Sequence, residues 1–352
     1  MESWPNLISM FFSQAEKLSG KPFLWAKKDG SYVSQSWQEV ANNVLALSQS
    51  LKAFGIEKGD RVVLCSENRP EWPTAHLAIM AAGGITVPAY TTNTLYDFIH
   101  IFSNSGAKAA IVSTAKLAEC LMPAAHQTDS MSFVITMEEM DVNQAIGPDI
   151  KAWDSAISGG TSLEGGYLDL IDVPATDDTA VIIYTSGTGG APKGVMLPHK
   201  AILHNCRGAT DLLEDLGLED EVFLSFLPLS HSYEYTAGQF FPIFVGAQIY
   251  YAEGIEHLAK NMAEARPTIM TAVPRLYETM HSRIMRGVQS AGGMKATLFS
   301  TAVRLGQKKI SGTEPLSLGE KISDAIVEKL VRNKVRANFG GRLKALVSGG
   351  AP

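Results

Sequence analysis

The sequence predicts an α/β protein whose main sheet is largely parallel and covered by helices on both faces. Two observations carry this. Short apolar, β-branched runs alternate with longer helical runs between residues 61 and 135, which is the order of successive βαβ units. Thr179 to Tyr184 is a continuous apolar run, as expected of a strand buried on both faces. With 352 residues, 45% of them hydrophobic and 19% charged, the chain has globular composition and is long enough for two or more packed lobes.

Taken in order, Phe23–Ala26 and Tyr32–Ser34 read as a hairpin turned at Asp29-Gly30, a dipeptide that accepts the positive φ of tight turns. A helix follows from about Trp37 to Phe54. Arg61–Cys65 is a strand, Pro70–Ala82 a helix with proline near its start, and Ile85–Pro88 the next strand; together they form a βαβ unit. The alternation continues through a helix near Leu95–Ser103 and strands at Ala109–Val112 and Phe133–Ile135. Residues Asp141 to Asp178 are richer in Gly, Asp and Ser and are expected to be an irregular connection. The strand Thr179–Tyr184 then enters the most informative stretch of the chain.

That stretch is Tyr184-Thr185-Ser186-Gly187-Thr188-Gly189-Gly190-Ala191-Pro192-Lys193-Gly194. Glycines let successive backbone N–H groups turn inward into an anion nest, hydroxyls add donors, and Lys193 supplies a point charge. It is not a P-loop, because Pro192 precedes Lys193 and Gly194 follows it. Nor is it the dinucleotide fingerprint, since no third glycine stands at the required place. Pro192 disfavours helix at Ala191, and Val195–Leu197 reads as a second strand, so the expected form is strand, loop, strand.

A second cluster, Phe226-Leu227-Pro228-Leu229-Ser230-His231-Ser232-Tyr233-Glu234, follows the strand Val222–Leu224 and places His231 at its exit. The residues alone leave a structural and a catalytic histidine equally open. Thr236 to Gly246 is aromatic and apolar with small residues between, fitting either the lining of an apolar tunnel or a core helix and strand; Tyr233 or Tyr235 would gate such a tunnel. Arg266–Glu278 reads as a buried strand running into a helix with Pro274 in its first turn. The chain closes on the strand and glycine turn Leu346-Val347-Ser348-Gly349-Gly350-Ala351-Pro352, and open α/β sheets bind ligands at such strand ends.

Charge and cysteine usage narrow the class. A formal net charge of −6 without a long basic run argues against nucleic acid as the main partner. Lys308, Lys309, Arg332, Lys334, Arg336, Arg342 and Lys344 form a late basic bias; solvated helix faces, the phosphates of a ligand and an anionic membrane surface all remain open to them. The three cysteines, Cys65, Cys120 and Cys206, lie far apart without metal-ligand spacing and fit a reduced compartment. No secretory or transit pattern is evident at the N-terminus, and the longest apolar stretch, Leu77 to Tyr90, is too short and too broken for a membrane span. The expectation is a cytoplasmic protein, soluble or peripheral at the inner face of the membrane, its oligomeric state open.

The phosphate loop resembles the signature of the adenylate-forming superfamily of acyl-CoA synthetases, luciferases and peptide-synthetase adenylation domains. The family usually carries threonine where Gly189 stands, so one loop hydroxyl is missing. Val273-Pro274-Arg275-Leu276-Tyr277-Glu278 and the helical stretch ending Leu330 to Lys344 are similar to the long-chain acyl-CoA synthetase branch, and the resemblance covers nearly the whole chain. It implies two helix-flanked β-sheets of an N-terminal AMP-binding domain over residues 1–352, with lobes at about 60–205 and at 1–55 plus 220–352. It implies long-chain fatty acid, ATP and CoA as substrates, with Mg2+.

By the same resemblance, Thr185, Ser186, Gly187, Thr188, Gly189, Gly190 and Lys193 bind phosphates, and Thr185 also lies near the metal. His231 hydrogen-bonds the adenylate and works with Lys193 and Thr185 in catalysis, while Ser348, Gly349, Gly350, Ala351 and Pro352 pack on adenine. The family's later Thr-Glu pair, ribose-binding Asp and mobile C-terminal domain with its lysine have no counterpart in 352 residues. The expectation is therefore a domain lacking its end and poor turnover by this segment alone. A fatty acyl-AMP ligase feeding a carrier protein and a non-catalytic nucleotide- or acyl-binding module stay open beside the ligase.

Overall fold

The computed structural model of the chain describes residues 3–140, 147–158, 166–185, 190–312 and 315–349. Two compact units are present, Met1–Glu221 with Ser225–Tyr251, and Val222–Leu224 with Ala252–Pro352.

The first unit opens with α1 (Leu7–Leu18), β1 (Pro22–Lys28), β2 (Ser31–Ser36) and α2 (Trp37–Ala53). Asp29 and Gly30 both take positive φ, +52° and +80°, the twist that a two-residue hairpin loop requires and that glycine makes accessible. Ser36 caps α2 reciprocally with Glu39, which fixes where the strand ends and the helix starts. Next come β3 (Arg61–Cys65), α3 (Glu71–Ala81), β4 (Ile85–Ala89), α4 (Leu95–Ser105), β5 (Ala107–Val112), α5 (Ala115–His126) and β6 (Phe133–Thr136). The unit continues through β7 (Asp149–Ala152), α6 (Trp153–Ser158), β8 (Thr179–Thr185), β9 (Lys193–Pro198), α7 (His199–Leu213), β10 (Val222–Ser225), α8 (Phe241–Val245) and β11 (Gln248–Tyr251), Val222–Leu224 of β10 belonging to the second unit.

Seven strands form one sheet in the order β7-β6-β5-β3-β4-β8-β9. Every neighbouring pair is parallel except β8 with β9. Val62, Val63, Leu64 and Cys65 of the central strand are fully buried, as a sheet covered on both faces demands. Fully burying each such aliphatic side chain stabilises the fold by about 1.5–3 kcal/mol. In the same unit β1 pairs parallel with β11 and antiparallel with β2. The α/β expectation, with two helix-flanked sheets, holds.

The second unit adds α9 (Leu258–Ala265), β12 (Ile269–Ala272), α10 (Pro274–Ala291), α11 (Gly293–Ser311), α12 (Leu318–Val327), α13 (Asn333–Asn338) and β13 (Ala345–Ser348). Here β12 pairs parallel with β10 and with β13. Much of the late basic bias is neutralised on these helices. Arg332 pairs with Asp324 and Glu328 at 2.8 and 3.2 Å, Lys308 and Arg304 reach Glu320 at 3.0 and 3.2 Å, Lys309 pairs with Asp324, and Arg336 with Glu328.

Three expectations need correction. Residues 141–178 are not wholly irregular: they carry β7, α6 and a 3-10 turn at Tyr167–Leu170, because Trp153 and Ala156 supply buried anchors within a polar sequence. The helix expected to reach Lys344 ends at Asn338, ahead of the Gly340-Gly341 pair. The segment Thr236–Gly246 is a π-helical run, Glu234–Phe240, passing directly into α8.

Candidate active site

The phosphate-loop stretch folds as the strand, loop, strand that its proline implies. β8 and β9 pair antiparallel so that Tyr184 faces Gly194 and Thr185 faces Lys193, leaving the loop to spring from a registered base. A Cβ on Gly194 would meet Ile182 Cγ2 at 2.8 Å and Tyr184 Cζ at 3.1 Å. Only glycine admits the close approach of these two strands. Ser186, Gly187, Thr188 and Gly189 lie outside the described residues, as do Gly350, Ala351 and Pro352.

Beside this hairpin lies a cavity of about 350 Å³ lined by Tyr90, Asn93, Thr185, Pro192, His231 and Ser232 among others. It sits beyond the carboxyl ends of β4 and β8, where parallel α/β sheets present ligand sites. Thr185 and His231, far apart in sequence, meet in its wall. Lys193 and Gly190 are exposed beside it but do not line it. Ser348 and Gly349 belong to the second unit, at the end of β13.

The segment carrying His231 is held from one end by an asparagine. Asn68 Nδ2 donates to Ser225 Oγ at 3.0 Å and to the Leu227 carbonyl at 2.7 Å, while its Oδ1 accepts from Leu229 N–H at 3.3 Å. Ser225 Oγ in turn donates to the buried Glu234 carboxylate at 2.6 Å. His231 itself is exposed, its Nδ1 accepting from Tyr233 N–H at 3.2 Å. Tyr235, a candidate tunnel gate, is wholly buried and pairs through its hydroxyl with His76 Nε2 at 2.8 Å. Tyr233 is half-buried. Phe240, Phe241, Ile243 and Phe244 are buried core.

Both ends of the phosphate loop are tied to α4. His100 Nε2 donates to the Pro192 carbonyl at 2.7 Å, and Tyr184 hydroxyl donates to Asn104 Oδ1 at 2.7 Å. Burial pushes the Tyr184 and Tyr90 phenols above their ordinary values. Sequence reasoning missed Asn68, His100 and Asn104, and it placed Glu234 beside His231 without a role. Asn68 stands in a polar run just past a buried parallel strand, and His100 and Asn104 share one helix face at i, i+4 spacing; those signals were legible. Nothing marked Glu234 as buried.

Among the described residues no group of three or more His, Cys, Asp or Glu side chains is placed to hold a metal ion. Asp97, in the cavity wall, is engaged with Thr94 in capping α4. No helix among the described residues is long and apolar enough to cross a membrane.

The family model for AMP-binding enzymes matches residues 11–352. Long chain acyl-CoA synthetases 3 and 4 of Arabidopsis thaliana are each 30% identical, over 97% and 100% of this chain. A long-chain-fatty-acid–CoA ligase, FadD15, of Mycobacterium tuberculosis is 30% identical over 92% of it. The chain spans about half the length of these relatives, 52%, 54% and 53% respectively. In fold it is similar to the adenylation domains of a carboxylate reductase from Mycobacterium chelonae and of a carboxylic acid reductase from Segniliparus rugosus, the latter solved with AMP and a co-purified carboxylic acid. The TM-scores are 0.70 and 0.72 at 20% and 17% identity, covering 100% and 99% of this chain and 55% and 56% of theirs.

Proposed function

The chain belongs to the AMP-binding enzyme family, and on that premise we propose that it serves the ATP-dependent activation of a long-chain fatty acid to its CoA thioester. The observation that carries the reading is the cavity in which Thr185, at the base of the phosphate loop, meets His231, with Lys193 in register across the hairpin from Thr185. The relatives named as long-chain acyl-CoA synthetases and ligases support the substrate class.

The chemistry has two displacements. An oxygen of the fatty carboxylate attacks the α-phosphorus of ATP, the bond to the bridging oxygen breaks, and pyrophosphate departs with that electron pair. The CoA sulfur then adds to the acyl carbon of the acyl-adenylate, the thiol proton is lost, and AMP leaves. No side chain is acylated, so the protein contributes position and charge. Thr185, Ser186, Thr188, the glycine N–H groups and Lys193 hold the phosphates. His231 hydrogen-bonds the adenylate carbonyl or phosphate. Magnesium supplies further charge neutralisation on the phosphates when bound.

Pyrophosphate release measured with acetate, octanoate and palmitate, with and without CoA, in the protein made from its complete reading frame, tests the proposal. Release that depends on palmitate and ends in palmitoyl-CoA supports it. An adenylate that CoA does not discharge points to a carrier-protein acceptor, and silence with every acid refutes fatty acid activation. His231→Ala should slow the reaction by about 10²-fold or more while shifting the thermal midpoint little. Parallel losses of activity and folding would make the histidine structural.

A further inference from the structure

Both loop ends are tied to one helix, and that helix is unusually well fixed. Thr94 and Asp97 close a reciprocal capping box at the start of α4, and Gly106 closes its end with an N–H to the Phe102 carbonyl. Phe98, Ile101 and Phe102 are buried beneath it. Arg61 grips its last turn, Nε donating to the Ser105 carbonyl at 2.6 Å and a terminal nitrogen to the Gly106 carbonyl at 2.7 Å. From this support His100 and Asn104, one helical turn apart on the same face, reach the two strands that flank the loop. His100 also sets its ring edge-on to Tyr184, centroids 5.9 Å apart at 85°.

We propose that α4 is the brace of the phosphate loop, with His100 and Asn104 as positioning residues for the triphosphate of ATP. The inference rests on the phosphate-binding reading of the loop given above. A site that grips an anion through backbone N–H groups depends on where its flanking residues are held. Holding residues 184 and 192 in place before ATP arrives is preorganisation, which favours binding by cutting the cost of ordering. Pro192 has no N–H and cannot join the β ladder as a donor, so its carbonyl is the handle by which the exit of the loop can be held. The Tyr184 hydroxyl provides the matching handle at the entry.

A purely structural pair of hydrogen bonds would behave differently from a brace. Losing structural bonds lowers stability and leaves the ratio of ATP to adenosine affinity alone, whereas losing the brace weakens only ligands that carry the β- and γ-phosphates. The experiment is calorimetric titration of the protein made from its complete reading frame with ATP and with adenosine, alongside thermal melting. His100→Phe and Asn104→Leu each remove one tether. His100→Gln keeps an N–H donor at similar reach, and Asn104→Asp keeps an acceptor.

The expected result is ATP binding weakened about three- to tenfold in His100→Phe and in Asn104→Leu, adenosine binding unchanged, and recovery in His100→Gln and Asn104→Asp. Unchanged ATP affinity, or equal loss for adenosine, overturns the proposal. If either helix variant unfolds, Tyr184→Phe removes the Asn104 tether from the strand side with a single atom and gives the same reading. Wild-type protein that binds ATP but releases no pyrophosphate with any fatty acid refutes the ligase reading and leaves the affinity comparison intact. Protein that binds no ATP overturns both.

Discussion

His76 and His199 are the clearest residues whose environment sets a measurable property. Burial holds the His76 imidazole down to about 3, with His199 adding in the same direction. Burial also holds His199 down to about 4 against the opposing pull of Asp178. Both stay neutral in the fold, His76 between Thr86 Oγ1 and the Tyr235 hydroxyl at 2.7 and 2.8 Å, and His199 accepting from Leu7 N–H at 3.3 Å. The unfolded chain takes up protons first as pH falls below the ordinary value of 6.5. Stability is therefore full above that pH and declines toward pH 4 for His199 and pH 3 for His76. At pH 5 each should cost about 2 kcal/mol. Thermal melting at pH 7 and pH 5 checks this, and a midpoint that does not fall would contradict it. Asn68 makes a second residue-scale case. Asn68→Leu breaks three hydrogen bonds to the segment carrying His231 and should lower stability by about 2–4 kcal/mol; chemical denaturation against wild type would show it.

At the scale of elements, local signals fixed the pieces that obey local rules. The hairpin β1–β2 follows from Asp29-Gly30, and the β8–β9 hairpin from Pro192, which bars a helix at Lys193. The π-helical run at Glu234–Phe240 was illegible, because a helix one residue wider per turn has the composition of any buried helix. α7 and α11 also escaped notice although each has ordinary helical length. On α11 burial is confined to Ala302 and Leu305, so its apolar period is weak; α7 buries Ile202, Leu203, Cys206 and Leu213 along one face, and that period was legible. The caps are more readable than the helices. Thr94→Ala should cost about 1 kcal/mol by opening the box at the head of α4, and urea denaturation measures that. If α4 braces the loop, ATP affinity should soften in the same variant.

At the scale of the molecule, the two units are built differently. Strands β3, β5 and β6 of the first are buried almost throughout. The helical part of the second holds a small buried cluster of Ala302, Leu305 and Val327 beneath surface ion pairs, and such exposed pairs stabilise weakly. Hydrogen exchange read by mass spectrometry should show the longest protection in β3 and β5 and early exchange in α11 and α12. Uniform protection across both units would contradict this.

The sequence by itself determined the α/β class, the order of βαβ units from Arg61 to Ile135, and the hairpin form of the phosphate stretch. Each rests on period, turn chemistry or proline sterics, which act between near neighbours. Only the tertiary structure decided that His231 meets Thr185 in one cavity, that Asn68 holds the His231 segment, and that α4 carries both tethers of the loop. Those contacts join residues from 46 to 161 positions apart in the numbering, and their partners are fixed by how strands are ordered in the sheet. No local pattern encodes that order, because a parallel sheet brings successive strand ends together only after its crossovers are packed.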